Sequence, residues 1–200
     1  IFRLAFGTFI GLPNPLDFTG DANYIQTRWN TDPTTAFAAE VNGKLIGSNI
    51  AVPWGSVGCF GPLSVHPDYW NQGIAQRLIE PMLAVFNQRN VLQAGLFTFP
   101  NSPKHHALYQ KFGFYPRFLT FIMEKPIDAS SQPLTNARFS EFDEDQRSQI
   151  LQSCFEITNS IYEGLNVSTE ILSVQTQKLG DTVLLWDNDE LVGLAICHCG

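Results

Sequence analysis

One stretch in the first half of the chain combines a predicted strand, a short loop with a single glycine and the start of a helix. It runs over residues 63–78, with Gly73 in the loop. The first turn of a helix offers unpaired N–H groups and the positive end of the helix dipole, which together bind phosphate without a charged side chain. Gly73 lets the backbone approach a ligand, and the small Ala75 leaves the first turn uncrowded. The stretch predicts a phosphate-binding loop, and an ordinary strand-to-helix connection is the alternative.

A second stretch follows 30 residues later, over residues 101–114, and ends in Leu-Tyr-Gln-Lys-Phe-Gly-Phe. Pro103 suits the first turn of a helix and Gly113 its end, so we predict a helix over residues 104–112. Tyr109 on this helix carries a phenol that stays protonated at neutral pH and can donate a proton or a hydrogen bond. A tyrosine that fills the core beside Leu108 and Phe112 is the alternative.

The elements around these stretches follow from turn chemistry and periodicity. Asn42-Gly43 supplies the two positive-φ residues of a tight hairpin turn between strands 35–41 and 44–52. Helices are predicted before the hairpin, over residues 1–9 and from a cap at Asp21 to the residue before Asp32. After the hairpin come a strand at 56–65, an amphipathic helix at 72–89 that Pro81 kinks or ends early, and strands at 91–99 and 114–123.

The last third repeats the opening order of helix, helix and hairpin. Residues 126–133 read as a linker, 142–162 and 169–179 as helices, and 182–186 and 191–199 as strands. Residues 42–48 and 188–194 share Asn, Leu and Gly at the same offset, which favours a tandem repeat over two unrelated hairpins with similar turns. The chain begins without Met and stops directly after a predicted strand, so we expect a fragment with a truncated second copy.

Composition excludes several classes of protein. The chain has 200 residues, of which 44% are hydrophobic and 16% charged, so it folds around a core. The net charge is −7, because residues 1–126 carry 9 basic and 7 acidic side chains and residues 127–200 carry 3 and 12. This balance argues against nucleic acid, and no apolar run reaches the length of a membrane span. Four cysteines suggest reduced thiols in a cytoplasm, and Cys197-His198-Cys199 lacks a second ligand pair, so we expect no metal.

The order hairpin, strand, His66-Pro67, Gly73-Ile-Ala75 helix, strand and Leu-Tyr-x-Lys-Phe-Gly-Phe resembles the GNAT superfamily of acyl-coenzyme A N-acyltransferases over residues 1–125. The resemblance implies an α/β (α+β) fold with a mixed, mostly antiparallel central sheet flanked by helices. The family's pyrophosphate loop falls on residues 70–75, where Trp70 replaces the usual Arg or Gln. The resemblance assigns the acetyl-CoA contacts to Leu63, Ser64, Val65, Asn71, Gln72, Gly73, Ile74, Ala75, Gln76, Asn101 and Ser102.

The resemblance also implies the catalytic roles. Tyr109 becomes the general acid that protonates the departing coenzyme A. Glu40 and His66 are the candidates for the general base, with a solvated Glu40 and a structural His66-Pro67 strand end as alternatives. Lys104, Lys111 and Arg77 are further candidates for the cofactor's phosphates, against plain solvated surface. His105 and His106 are expected to lie on the cofactor-side surface.

The predicted function is therefore transfer of an acetyl group from acetyl-CoA to a primary amine of a small molecule or peptide, by direct attack in a ternary complex. Cys59 is disfavoured as a thiol nucleophile, because no histidine pairs with it in sequence. The alternative is a non-catalytic acyl-CoA-binding sensor or scaffold. We expect an acetyltransferase domain at 1–126, a linker at 127–133 and a second GNAT-like copy at 134–200. That copy would self-associate through an exposed edge strand.

Overall fold

The computed structural model describes residues 1–19, 23–117 and 136–198, which contain six α-helices and eight β-strands. The helices are α1 Phe2–Ile10, α2 Tyr24–Thr31, α3 Ile74–Gln88, α4 Pro103–Gln110, α5 Glu144–Ile161 and α6 Ser168–Thr176. The strands are β1 Ala36–Val41, β2 Lys44–Trp54, β3 Val57–Phe60, β4 Ser64–Val65, β5 Gln93–Gly95, β6 Asn136–Arg138, β7 Gly180–Asp187 and β8 Glu190–His198. The mixed α/β fold with mostly antiparallel pairing is confirmed.

The predicted hairpin is present as β1 and β2. Asn42 and Gly43 adopt φ of 51° and 77°, and Val41 pairs with Lys44. Both values lie in the left-handed region that the primed hairpin turns require, so the local sequence alone accounts for this turn. A bulge between Ala39 and Glu40 shifts the register just before the turn.

The first sheet has the strand order β1-β2-β3-β5, and β4 also pairs with β2. β3 and β4 together run antiparallel to β2 as one interrupted strand, because Gly61 and Pro62 break the predicted strand 56–65 into two. Pro62 has no N–H to donate to a ladder. β3 pairs with β5 in parallel over only three residues, 57–59 with 93–95, so the predicted strand 91–99 is too long. In the part of the chain that the structure describes, the sheet is therefore open beyond Cys59.

Helix α3 packs its apolar face against this sheet. Ile79 and Met82 are fully buried on both sides of Pro81, and the helix continues to Gln88. The alternative of an early end is therefore wrong, since core packing outweighs the one backbone donor that proline lacks. The helix approaches β2 closely at Gly47, where an added Cβ would lie 3.0 Å from both the Leu78 side chain and the Ser64 carbonyl oxygen.

Residues 136–198 form a second module with a sheet of order β6-β7-β8. Its core consists of buried side chains from both helices, from β7 and β8, and from the turn after β6: Phe139, Ile150, Cys154, Ile171, Leu184 and Leu191. The start of α5 follows its sequence signal, because Asp143 and Gln146 form a reciprocal capping box. The two helices and the hairpin are confirmed, whereas β6 was not predicted.

The second module contacts the first at the turn after β2. Ser56 N donates to the Gly164 carbonyl oxygen at 2.9 Å, and Asn166 N donates to the Trp54 carbonyl oxygen at 3.1 Å. Helix α2 packs on α6 through side-chain contacts such as Thr31 Oγ1 to Ser173 Oγ at 2.5 Å. The modules are thus joined by backbone and side-chain hydrogen bonds.

Several expectations fall partly or wholly outside the described residues. The cap at Asp21, the linker at 126–133 and Cys199 do so entirely, and the observed cap of α2 is Asn23. Of the predicted strand 114–123, residues 114–117 form no strand and the rest is not described.

Among the described helices, none is both long and apolar enough to cross a membrane. The same residues contain no group of three His, Cys, Asp or Glu side chains placed to hold a metal ion.

Candidate active site

The loop before α3 presents backbone N–H groups to the outside. Gly73 caps the helix with φ of 76°, no side chain caps it, and the first turn contains no acidic residue. A Cβ at Gly73 would meet nothing within 4 Å, and Asn71 also has a positive φ of 65°. Asn71 and Gln72 are exposed, whereas Ile74, Ala75 and Gln76 are half-buried. The first turn therefore has the free donors and the open space that a phosphate needs.

The edge of β4 faces the opening in the sheet. His66 N donates to the Ile46 carbonyl oxygen at 2.8 Å, so residues 64 and 66 direct their backbone groups towards β2. Alternate residues of a strand point their groups to opposite edges, so Leu63 and Val65 direct theirs away from β2. The Ser64 side chain is buried and contacts Ser48 Oγ at 3.0 Å. Leu63 and Val65 are thus the residues that can extend the sheet to a ligand.

Trp70 hydrogen-bonds to one of the backbone groups that point away from β2. Its indole Nε1 donates to the Val65 carbonyl oxygen at 2.7 Å, and the side chain is half-buried. The N–H of Val65 and the backbone N–H and C=O of Leu63 are therefore the groups that could hydrogen-bond a ligand lying along β4 as an added strand. The indole ring also anchors the phosphate loop on the end of β4.

Tyr109 lies at the start of the opening, where β3 ends. Its ring packs edge-on against Phe60 with centroids 5.9 Å apart, and its hydroxyl hydrogen-bonds to the Thr98 side chain. Burial raises the pKa of Tyr109 to about 12, and the Thr98 hydrogen bond lowers it only in part. The phenol is therefore protonated at neutral pH and can donate a hydrogen bond to an anion that develops beside it.

The residues before α4 serve different roles in the structure. Ser102 is buried and caps the helix, accepting from His105 N at 3.4 Å, whereas Asn101 is exposed. The cap uses the Ser102 oxygen as an acceptor, so its hydroxyl hydrogen is the group left to offer a ligand.

His105, which was expected on the cofactor-side surface, belongs to a row of aromatic rings and is half-buried. Its ring lies 4.7 Å from Phe9, 5.9 Å from Phe99 and 6.5 Å from Tyr109, between centroids. Burial, followed by the nearby Lys104 and His106, lowers the pKa of His105. The row connects α1 to the face of Tyr109, so the first helix forms a wall of the site.

The two candidate bases lie apart from Tyr109. Glu40 is exposed on β1 and pairs with Leu45 of β2. Phe60, which contacts Tyr109, pairs with Ala51 of the same strand, six residues further along. At about 3.3 Å per residue this is about 20 Å along the strand. His66 Nδ1 accepts from Asp68 N at 3.3 Å and caps the turn Pro67–Tyr69. The structure brings Tyr109 to the opening but does not bring Glu40 there.

A buried acidic group joins the modules and was missed by the sequence reasoning. Glu170 on α6 accepts from Arg28 Nη1 at 2.5 Å and from Trp54 Nε1 at 3.4 Å, and its other oxygen lies 3.6 Å from His198 Nε2. Arg28 also stacks on Tyr24, 4.9 Å from the ring centre. No sequence signal links Arg28 to Glu170, since 142 positions separate them.

Comparison with known proteins gives matches over the first module and over the whole fold. A family model described as acetyltransferase (GNAT) family matches residues 9–114, which are 106 of the 200 residues. An acetyltransferase of Pectobacterium atrosepticum is 42% identical over 55 residues, which are 28% of this chain and 39% of that relative. The match therefore spans well under half of the relative's length.

One solved structure extends the likeness in fold beyond the residues that the family model matches. A Pyrococcus horikoshii protein, solved as a candidate acetyltransferase, aligns with 92% of this chain and 62% of its own, at 16% identity and a TM-score of 0.61. This similarity indicates a common fold that includes the second module. An aminoglycoside N-acetyltransferase in complex with CoA aligns with 46% of this chain and 75% of its own, at 19% identity and a TM-score of 0.41.

Proposed function

The chain belongs to the acetyltransferase (GNAT) family, and from this premise we propose that it transfers an acetyl group from acetyl-CoA to a primary amine of a small molecule or peptide. The observation that carries the proposal is the shared opening of the first sheet. The uncapped start of α3 lies on one side of it, and Tyr109 lies where β3 ends. A phosphate site and a proton donor beside one opening suit a long polyanionic cofactor with a reactive thioester.

The described residues fit acetyl-CoA. The amides of residues 73–76 would hold the pyrophosphate, because no side chain caps them and Gly73 leaves their approach open. Leu63 and the N–H of Val65 would hold the pantetheine arm as an added strand. Ser102 and Asn101 stay proposed contacts of the arm. When bound, acetyl-CoA supplies the activated acetyl group.

Tyr109 would hold a proton at its hydroxyl oxygen for the sulfur of the departing coenzyme A. Its raised pKa of about 12 keeps this proton in place across the physiological range. Direct attack of the amine needs no nucleophile from the chain, and burial raises the pKa of Cys59 to about 11, which disfavours a thiolate route. The reacting groups gain most from being held together in a ternary complex.

The placements of Glu40 and His66 decide how the amine can lose its proton. Glu40 lies about 20 Å along β2 from the level of Phe60, by the rise of 3.3 Å per residue. His66 is nearer to the loop but uses Nδ1 to cap a turn. These placements favour loss of the amine proton through water over direct abstraction by either side chain.

We also propose two GNAT-like modules, at 1–126 and 134–200, joined by a linker at 127–133. Their hairpins support the proposal beyond sequence. The bulge in β1 lies between Ala39 and Glu40 before the turn at Asn42, and the bulge in β7 lies between residues 185 and 186 before Asn188. Each turn asparagine has a positive φ, of 51° and 55°. Cleavage confined to 127–133 in limited proteolysis, leaving two stable fragments, is the expected result.

The three cysteines that the structure describes, Cys59, Cys154 and Cys197, are free thiols. Free thiols suit a reducing compartment, and we propose that the protein acts in the cytoplasm.

Thiol release tests the proposed function directly. Acetyl-CoA is mixed with the protein and a panel of amines, and free coenzyme A is followed with a thiol reagent. Tyr109→Phe should slow release by about 10²-fold or more, because general acid catalysis contributes this much. Tyr115→Phe is the matched control, since Tyr115 is 68% exposed, and it should release thiol at the wild-type rate.

If Tyr109→Phe releases thiol as fast as wild type, Tyr109 is not the general acid. Tight binding of acetyl-CoA with no thiol release for any amine would instead select the non-catalytic sensor or scaffold.

A further inference from the structure

Trp70 connects the phosphate loop to the first turn of α4. Its indole is anchored on β4 through the 2.7 Å hydrogen bond to the Val65 carbonyl oxygen. Lys104 Nζ, from the first turn of α4, lies 5.5 Å from the centre of the same ring. An ammonium over the face of an indole is attracted by the ring's negative face, so Trp70 holds this charge beside the loop.

The position of Lys104 is unfavourable for the helix alone. It follows Pro103 in the first turn of α4, where the helix dipole is positive and no acidic residue is present. A cation at this end opposes the dipole and destabilises the helix, so the arrangement favours a nearby anion. The first turn of α3 has no acidic residue either.

Other charges around the loop do not cancel this one. Asp68 is the acidic residue of the loop, and its carboxylate lies 3.7 Å from His66 Nδ1 with the side chain 76% exposed. Lys44 Nζ lies 5.8 Å from the centre of the Tyr69 ring, so a second lysine approaches the loop from β2. The loop is therefore flanked by two ammonium groups on aromatic faces and by two helix N-termini.

We propose that Lys104, held over Trp70, binds the pyrophosphate of acetyl-CoA. The inference rests on the proposed function and adds a binding residue from α4 to the amides of α3. Lys111 lies just after the other end of α4, about 10 Å along the axis from Lys104 at 1.5 Å per residue. Of these two lysines, only Lys104 is placed at the loop.

Calorimetric titration with three probes tests the assignment. The probes are CoA, 3′-dephospho-CoA, which keeps the pyrophosphate, and pantetheine, which has no phosphate. Lys104→Gln should bind CoA and 3′-dephospho-CoA each about tenfold more weakly than wild type, the loss expected for one charge-assisted hydrogen bond. It should bind pantetheine as wild type does. Lys111→Gln, which removes the same charge from the same helix, should bind all three probes normally.

A double-mutant cycle tests the role of Trp70. Trp70→Phe keeps an aromatic face but loses the indole N–H that anchors the ring. It should weaken CoA binding several-fold in wild type and less in Lys104→Gln, because the part of its effect that acts through Lys104 is already lost there. Fully additive losses would overturn the role of Trp70 in holding Lys104.

The remaining outcomes separate this inference from the proposed function. If wild type binds CoA and Lys104→Gln stays within twofold of it, the inference is wrong and the proposed function stands. If the loss occurs with CoA but not with 3′-dephospho-CoA, Lys104 serves the 3′-phosphate and the pyrophosphate assignment is wrong. If wild type binds none of the probes, both the inference and the proposed function are wrong.

Discussion

Replacing Glu170 by glutamine removes a buried charge and keeps the shape of the side chain. The side chains of Arg28 and Glu170 are only 12% and 10% exposed, and their polar atoms lie 2.5 Å apart. Removing one partner of a buried ion pair leaves the other charge without compensation and lowers the free energy of unfolding by about 3–5 kcal/mol. Glutamine still offers one oxygen to Arg28, so we expect a loss at the lower end of this range, about 3 kcal/mol. For a chain of this length that corresponds to a loss of about 6–12 °C in Tm.

The effect of Glu170→Gln should depend on pH with a definite sign. Burial raises the pKa of Glu170, but the hydrogen bond and charge of Arg28, with help from Trp54 and His198, outweigh it and leave the pKa below its ordinary 4.5. A carboxylate with a lowered pKa stabilises the fold fully above its unfolded value and loses this contribution as the pH falls through the folded value. The difference in Tm between wild type and variant should therefore narrow below about pH 4.5.

Thermal unfolding followed by circular dichroism between pH 7 and pH 3.5 measures both effects. Glu156→Gln is the matched control, because Glu156 is exposed on α5 and accepts from the nearby Gln152 amide at 3.0 Å. It should change the free energy of unfolding by no more than about 0.5 kcal/mol. A loss of less than 2 °C for Glu170→Gln at pH 7, at about 2–4 °C per kcal/mol, would refute a net stabilising ion pair between the modules.

Further predictions concern packing, reactivity and association. Gly47→Ala should lose about 1–3 kcal/mol of stability in denaturant titration, whereas Gly193→Ala, whose added methyl would meet Leu185 no closer than 3.7 Å, should lose little. Met82→Ala should lose about 2–5 kcal/mol in the same assay, because its side chain is fully buried. Cys59, whose pKa burial raises to about 11 from 9.0, should react with iodoacetamide at pH 8 about 100-fold more slowly than an unperturbed thiol, as followed by mass spectrometry. β8 pairs only with β7 in the described residues, so this chain should self-associate in sedimentation experiments; a monomer with β8 amides fully protected from hydrogen exchange would contradict this.

Local sequence patterns predicted much of the fold. Asn42-Gly43 predicted its hairpin because positive φ at two successive residues is a property of the turn itself. The spacing of apolar residues predicted α3, and the capping pair Asp143 and Gln146 marks the start of α5. The glycine before α3 indicated an uncapped helix start, which the structure contains.

Boundaries that depend on neighbouring strands were predicted less well. The predicted strand 56–65 is two strands, and the predicted strand 91–99 pairs over only three residues. The length of a strand depends on the register of its partner and on where the sheet opens. Neither can be predicted from the sequence of one strand alone. The continuation of α3 past Pro81 likewise depends on the core that surrounds it.

The sequence by itself determined most of the helices and the first hairpin, because turn chemistry and periodicity act over a few residues, and its motifs carried the resemblance to the family of the first module. Only the tertiary structure decided which side chains meet. It placed Lys104 on the ring of Trp70, 34 positions earlier, and Glu170 on Arg28, 142 positions earlier. It also placed Glu40 on an exposed part of β1, away from Tyr109. Contacts at such separations arise from the packing of whole elements, which no local pattern records.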